Sequence, residues 1–266
     1  MYLSESTARL SVVHWESSIS CSVSIRDLGY RYGNGKAALE GVSLEIQPGE
    51  RLAILGASGA GKSTFLLHLN GILLPHTGVV EIGGVPVHAG TLREIRSRVG
   101  IVFQNPDDQL FTPTVEEDIA FGPLNMGCNS EEVRERVDGA LRQMRLEGYE
   151  TRGTHELSYG EKRRVALATV LAMRPQVIGF DEPFANLDPG MVEQLVEVIR
   201  GLDSTVIVIS QEILPAIACS DRIAIFHQGR VAAVGPSLEI ARNRQLLSDC
   251  GIDFHYQGRI WERLFA

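Results

Sequence analysis

The segment Gly56-Ala57-Ser58-Gly59-Ala60-Gly61-Lys62-Ser63-Thr64 constrains this chain more than any other. It has the form G-x-x-x-x-G-K-[ST] and stands between an apolar, β-prone run, Leu52–Leu55, and a helical run, Thr64–Asn70. Glycines at that spacing let successive backbone N–H groups curl round a phosphate, and the helix N-terminus behind them adds positive potential. Gly56, Ala57, Ser58, Gly59, Ala60, Gly61 and Thr64 are therefore expected to line a phosphate site. Lys62 would reach the β- and γ-phosphates, and Ser63 would ligate Mg²⁺.

A strand feeding such a loop needs parallel neighbours, and the chain supplies them. Arg51–Leu55, Val99–Phe103, Gln176–Phe180, Thr205–Ile209 and Arg222–Phe226 read as strands, most of them apolar throughout, as strands covered by helices on both faces are. Val23–Leu28 and Val42–Ile46 alternate more, and Gly83-Gly84 between Val79–Ile82 and Val85–Val87 signals a hairpin, so an antiparallel edge is predicted. From Gln104 to Glu161 helix signals take over. Thr114 with Glu117 makes a capping box, and Ser130 is expected to cap a run whose Val133, Val137, Ala140, Leu141 and Met144 share a face. After Gly235 a helical tail is predicted, ending in aromatics from Phe254 onward that would dock on the same domain or, as the less favoured choice, on another chain.

Composition narrows the function classes. With 25 basic against 33 acidic residues the net charge is −8, which argues against nucleic-acid binding as the main activity. The longest apolar stretch, Val165–Met173, is well short of the ~20 residues that span a bilayer. The first residues do not read as a signal peptide, so a cytosolic location is expected. Cys21, Cys128, Cys219 and Cys250 are scattered, and the seven histidines show no ligand spacing, so neither a disulfide framework nor a resident transition-metal site is expected.

A second buried strand ends in Asp181-Glu182. An Asp at a strand's C-terminal end suits a metal's outer shell, and a neighbouring Glu can deprotonate a water, so Asp181 is expected to serve the metal and Glu182 to be the base. Just before that strand, Leu157-Ser158-Tyr159-Gly160-Glu161 resembles the LSGGQ signature of the ATPase subunits of ABC transporters, and the likeness runs from about Val23 to Gly235. The resemblance implies a P-loop NTPase (RecA-like) α/β core with an antiparallel β edge and an inserted helical subdomain. Residues 22–235 would form the ATPase domain, with the helical part at about 104–164, after an N-terminal extension (1–21) and before a C-terminal tail (236–266). It implies ATP and Mg²⁺ as ligands, and a second ATPase subunit whose signature, Ser158 and Gly160, covers the γ-phosphate held by the first. It also implies that Gln104 touches Mg²⁺ and senses the membrane partner, that Asp188 lies in the loop crossing the dimer interface, and that Tyr32 stacks on adenine, with Tyr30 the less favoured choice.

Two positions depart from the family. Gln211 stands where the switch histidine is expected, and Tyr159 replaces a signature glycine. Gln211 can donate to a γ-phosphate oxygen but cannot carry a positive charge, so hydrolysis that persists through Glu182 at a lowered rate is expected.

The segments Phe103–Phe111 and Thr114–Pro123, with Glu161-Lys162-Arg163-Arg164 after the signature, resemble the ATPases of energy-coupling factor transporters, which take up vitamins or cobalt and nickel ions. That resemblance implies a transmembrane T-component and a substrate-binding membrane subunit as partners, a place on the cytoplasmic membrane face, and an acidic rim at Asp107 and Asp108 meeting basic residues of the partner. Two other readings stay open: a degenerate subunit that closes a heterodimer with little hydrolysis of its own, and a soluble, non-transport ABC ATPase. No heptads and no CxxC separate Lys62 from Ser158, which favours transport over the latter.

Overall fold

The structure is a computed structural model and describes residues 20–252. From the N-terminal side come β1 (Val23–Arg31), β2 (Ala37–Ile46) and β3 (Arg51–Leu55), then α1 (Lys62–Leu69), β4 (Thr77–Ile82), β5 (Val85–Pro86), α2 (Leu92–Arg98) and β6 (Val99–Val102). Helices α3 (Val115–Met126), α4 (Ser130–Gln143) and α5 (Tyr159–Ala172) follow, and β7 (Val177–Asp181), α6 (Pro189–Arg200), β8 (Thr205–Ser210) and α7 (Ile213–Cys219) rebuild the α/β alternation. The hairpin β9 (Arg222–His227) and β10 (Arg230–Pro236) leads into two short helices, α8 (Ser237–Arg242) and α9 (Arg244–Asp249).

The strands sort into two sheets: six in the order β10-β9-β3-β8-β7-β6 and four in the order β2-β1-β4-β5. In the larger sheet β9, β3, β8, β7 and β6 run parallel and β10 closes one edge antiparallel. The expected antiparallel edge is thus a separate four-stranded sheet. Strand β10 was not predicted; its half-buried sequence carries a weak pattern, and the Gln228-Gly229 turn (φ 48° and 75°) supplies the hairpin geometry.

Central strands are buried on both faces, as their unbroken apolar runs require: every residue of β8 is buried, as are the first four of β7. Phe65 and Phe226 pack edge to face with centroids 5.3 Å apart and no exposure, each contributing about 1.5–3 kcal/mol by burial. Gly179 in β7 matters for the site, because a Cβ there would strike the Leu66 side chain; its absence lets α1 settle onto the sheet.

Helices α3, α4 and α5 pack on one another through Val115, Ile119, Val137, Leu141 and Val165. The capping box at Thr114 forms as expected, Thr114 Oγ1 accepting from Glu117 N and Glu117 Oε2 from Thr114 N, both at 3.3 Å. At α4 the cap is Asn129 and not Ser130, since the Asn129 carboxamide oxygen reaches two free N–H groups, those of Glu131 and Glu132. The tail's first part docks on its own domain through the buried Ile240, Leu247, Cys250 and Ile252. The predicted aromatic end from Phe254 and nearly all of the N-terminal extension lie outside the described residues.

Candidate nucleotide-hydrolysis site

Four strand ends meet at one rim of the six-stranded sheet. Leu55 pairs with Ser210, Asp181 with Ile209, and Val102 with Phe180, so the 56–61 loop, Gln211, Glu182 and Gln104 all follow the C-terminal ends of neighbouring parallel strands. A parallel α/β sheet binds ligands at that edge.

Within the loop, Gly61 is the N-cap of α1 at φ 102°, a conformation open to glycine and costly for other residues. Ser58 and Gly59 are exposed, and Gly56, Ala60 and Lys62 are buried. The Lys62 ammonium donates to the carbonyls of Gly56 at 2.7 Å and Ala57 at 3.2 Å, which holds it inside the loop. Burial lowers its proton affinity, and the Glu182 and Asp181 carboxylates oppose that shift.

Ser63 Oγ donates to Asp181 Oδ1 at 3.0 Å, so two of the three side chains predicted to serve a metal sit together. Both are hard oxygen donors, the chemistry that suits Mg²⁺, and the half-buried Asp181 is drawn toward protonation by desolvation and back by Ser63 and Lys62. These residues fit the ion. Gln104 is exposed at the end of β6 on the adjacent strand, with its backbone carbonyl held by Arg163 at 3.1 Å.

Glu182 is buried, with φ at 46°. Its carboxylate accepts the Gln211 N–H at 2.8 Å and stands 3.9 Å from the Lys62 ammonium. Desolvation raises its pKa; the Gln211 N–H and Lys62 pull it down. Gln211 therefore touches Glu182 directly, the one site relationship that its place in the sequence left unspecified.

Tyr32 is 40% exposed, and its hydroxyl shares a 2.8 Å hydrogen bond with Thr64 Oγ1. Tyr30 instead packs between His68 and His76, with centroids 4.9 and 4.6 Å away, so Tyr32 presents the freer ring beside the loop.

The signature residues are held elsewhere. Ser158 caps α5, accepting from Glu161 N, and among the described residues no hydrogen bond joins it to the 56–64 loop. Gly160 lies against the end of the Met191 side chain of α6, which a Cβ would push aside. Asp188 caps α6 through Met191 N at 3.0 Å. All three lie at or near helix starts. Asp107 and Asp108 are both exposed, and Asp107 is also paired with Lys162 at 2.5 Å.

Several participants were missed from sequence. Partial burial raises the pKa of Glu212, and the nearby Glu182 charge adds to that shift. Gln109 pins the Gln104 segment to α5, donating to Ala166 O at 2.7 Å and Thr169 Oγ1 at 2.8 Å. Glu161 accepts the Tyr149 hydroxyl at 2.7 Å and bonds to Ser158, contacts that lower its pKa to about 2, with a smaller effect from Arg152. The contrast of Glu161 with the Gln of LSGGQ was the available signal.

Among the described residues no group of three or more His, Cys, Asp or Glu is arranged to hold a metal ion, and no helix is long and apolar enough to cross a membrane.

The sequence matches the ABC transporter family over residues 39–185. It is 46% identical over 231 residues to an ABC transporter ATP-binding protein of Geobacter sulfurreducens, covering 87% of this chain and 93% of that one. It is 45% identical over 230 residues to the energy-coupling factor transporter ATP-binding protein EcfA of Methanothermobacter thermautotrophicus, covering 85% and 74%. Among solved structures, CbiO1 of Clostridium perfringens, part of the ABC transporter complex CbiONQ, superposes with a TM-score of 0.75 at 36% identity, covering 90% of this chain and 98% of that one. With the phosphate loop, the two carboxylates and the signature segment in their family order, the chain belongs to the ABC transporter family, as an ATP-binding cassette that hydrolyses ATP for transport.

Proposed function

We propose that this cassette powers an energy-coupling factor type importer, driving uptake of a vitamin or a transition-metal ion through separate membrane subunits. It would work at the cytoplasmic membrane face, with residues 22–235 as the cassette, 104–164 as its helical arm and a second ATPase subunit opposite. The names of the EcfA and CbiO relatives support the reading.

The observation that carries it is the segment leaving the hydrolysis rim at Gln104. It ends at Phe111, which is 65% exposed and stacks edge to face on Phe121 at 4.8 Å. The pair overhangs a cleft also lined by Ile72, Arg96 and Phe103. Exposed aromatics beside a cleft fit an amphipathic helix of a membrane subunit, and the 104–111 segment would report its movement to the site.

In the proposed mechanism the 56–64 amides and Lys62 hold the phosphate chain of ATP, and the Tyr32 ring stacks on adenine. Ser63 and Asp181, with Gln104, would hold Mg²⁺, which when bound neutralises phosphate charge. Glu182 takes the proton of the attacking water, and Gln211 keeps that carboxylate aimed while donating to the γ-phosphate. Ser158 and Gly160 close the site of the opposite subunit, and Asp188 lies along the seam between the two. Because donors arrive from a second chain, closure depends on ATP.

Two measurements test this. Light scattering of purified Glu182→Gln with ATP should find paired chains; a monomer at every ATP concentration sinks the sandwich. Phe111→Ser should weaken co-purification with the membrane subunits; undiminished capture rules out docking through the Phe111–Phe121 cleft.

A further inference from the structure

Arg163, in the first turns of α5, is 8% exposed and belongs to none of the roles above. Its guanidinium gathers carbonyls from two separate loops. One is Gln104, at 3.1 Å; the others are Glu182 at 3.4 Å, Pro183 at a shorter distance, and Ala185 at 3.0 Å. It also donates to the Tyr159 hydroxyl at 3.1 Å, so the Tyr that replaces a signature glycine supplies one of its partners. A planar guanidinium with five donors can bind several carbonyls at fixed angles, which an ammonium cannot.

The turn it holds is unusual. Glu182 (φ 46°) and Asn186 (φ 61°) both adopt the left-handed region, which L-residues disfavour and which persists only where surroundings impose it. Arg163 binds the carbonyls between these two positions. Beside it Lys162 reaches Asp107, so two consecutive residues of α5 grip the Gln104 segment from inside and outside.

We propose that Arg163 is a positioning residue for hydrolysis. It locks the Gln104 loop, the 182–185 turn and the signature helix into one unit, so that displacement of the Gln104 segment re-aims the Glu182 carboxylate. This rests on Glu182 being the base. Its predicted signature is a fall in kcat with little change in KM, because the phosphate contacts of the 56–64 loop are not altered.

The test compares the full-length chain with Arg163→Lys, which keeps charge and stem and loses the fork. Hydrogen–deuterium exchange without nucleotide is read first, as it does not depend on turnover. Faster exchange in peptides covering both 104–109 and 182–188, with 56–64 unchanged, is expected; unchanged exchange in either segment overturns the proposal. ATP turnover is read second: kcat should fall about tenfold to a hundredfold, the range for small misplacements of a reacting group, with KM within twofold. A kcat within twofold of the parent, or a loss appearing only in KM, overturns it. If the parent shows coupled exchange without turnover, the Glu182 reading fails and the lock stands on exchange alone. If Arg163→Lys does not fold, Tyr159→Phe decides: about a threefold fall in kcat at constant KM supports the proposal, and unchanged kcat overturns it.

Discussion

The Lys62 ammonium and the Glu182 carboxylate face each other across 3.9 Å, both nearly excluded from water. Each is penalised by burial in its charged form, and each relieves the other. Lys62 also keeps the loop carbonyls of Gly56 and Ala57, so it does not depend on Glu182 for a partner. Glu182→Gln should therefore fold and bind ATP while losing about 10²- to 10⁴-fold in turnover. A steady-state phosphate-release assay retaining more than a tenth of the parent rate would remove Glu182 as the base.

The same burial predicts the pH profile. Glu182 acts deprotonated, and its folded-state pKa is raised above the ordinary 4.5, so kcat/KM is lost as pH falls through that raised value. The acid limb should lie above 4.5 and vanish in Glu182→Gln. A limb at or below the ordinary carboxylate value would contradict the desolvated setting.

Gln211 holds Glu182 through its backbone N–H, a contact any residue but proline keeps at that position. Gln211→His should leave that bond intact and add a group able to carry charge toward the γ-phosphate. We expect kcat to rise about tenfold, the difference between a neutral and a charge-assisted hydrogen bond. An equal or slower rate would mean that the glutamine is not limiting.

Glu161 should show its influence in acid. Its pKa is lowered to about 2 by the Tyr149 hydroxyl and the Ser158 bonds, with Arg152 adding a smaller effect. A depressed carboxylate contributes stability above its unfolded value near 4.5, and that contribution disappears as pH falls toward 2. The gap in thermal midpoint between the parent and Glu161→Gln should be widest near neutrality and close across that window. A gap independent of pH would show that the charge at Glu161 contributes nothing to folding.

Much of the fold could be read before any coordinates. The 56–64 loop and the Thr114–Glu117 box are local: a few consecutive residues set the backbone angles and satisfy one another's hydrogen bonds. The strands show in the sequence as apolar runs, but their order in the sheet, β10-β9-β3-β8-β7-β6, is not their order in the chain. The Asn129 cap escaped because Asn129 and Ser130 are both good caps and only the backbone angles choose between them. Strand β10 escaped because half-buried residues on a sheet edge carry little periodicity.

What chain order could not disclose were contacts between distant segments. Arg163 finds Gln104 59 residues upstream and Ala185 22 residues downstream, and nothing in a Lys-Arg-Arg run says which arginine turns inward. Lys162 and Asp107, 55 residues apart, likewise pair only because α5 packs beside the loop after β6. The residues able to bind phosphate are written contiguously, since the chemistry needs adjacent amides. The coupling of that chemistry to the rest of the molecule is set by how helices and strands pack, where burial and long-range hydrogen bonds choose each side chain's partner.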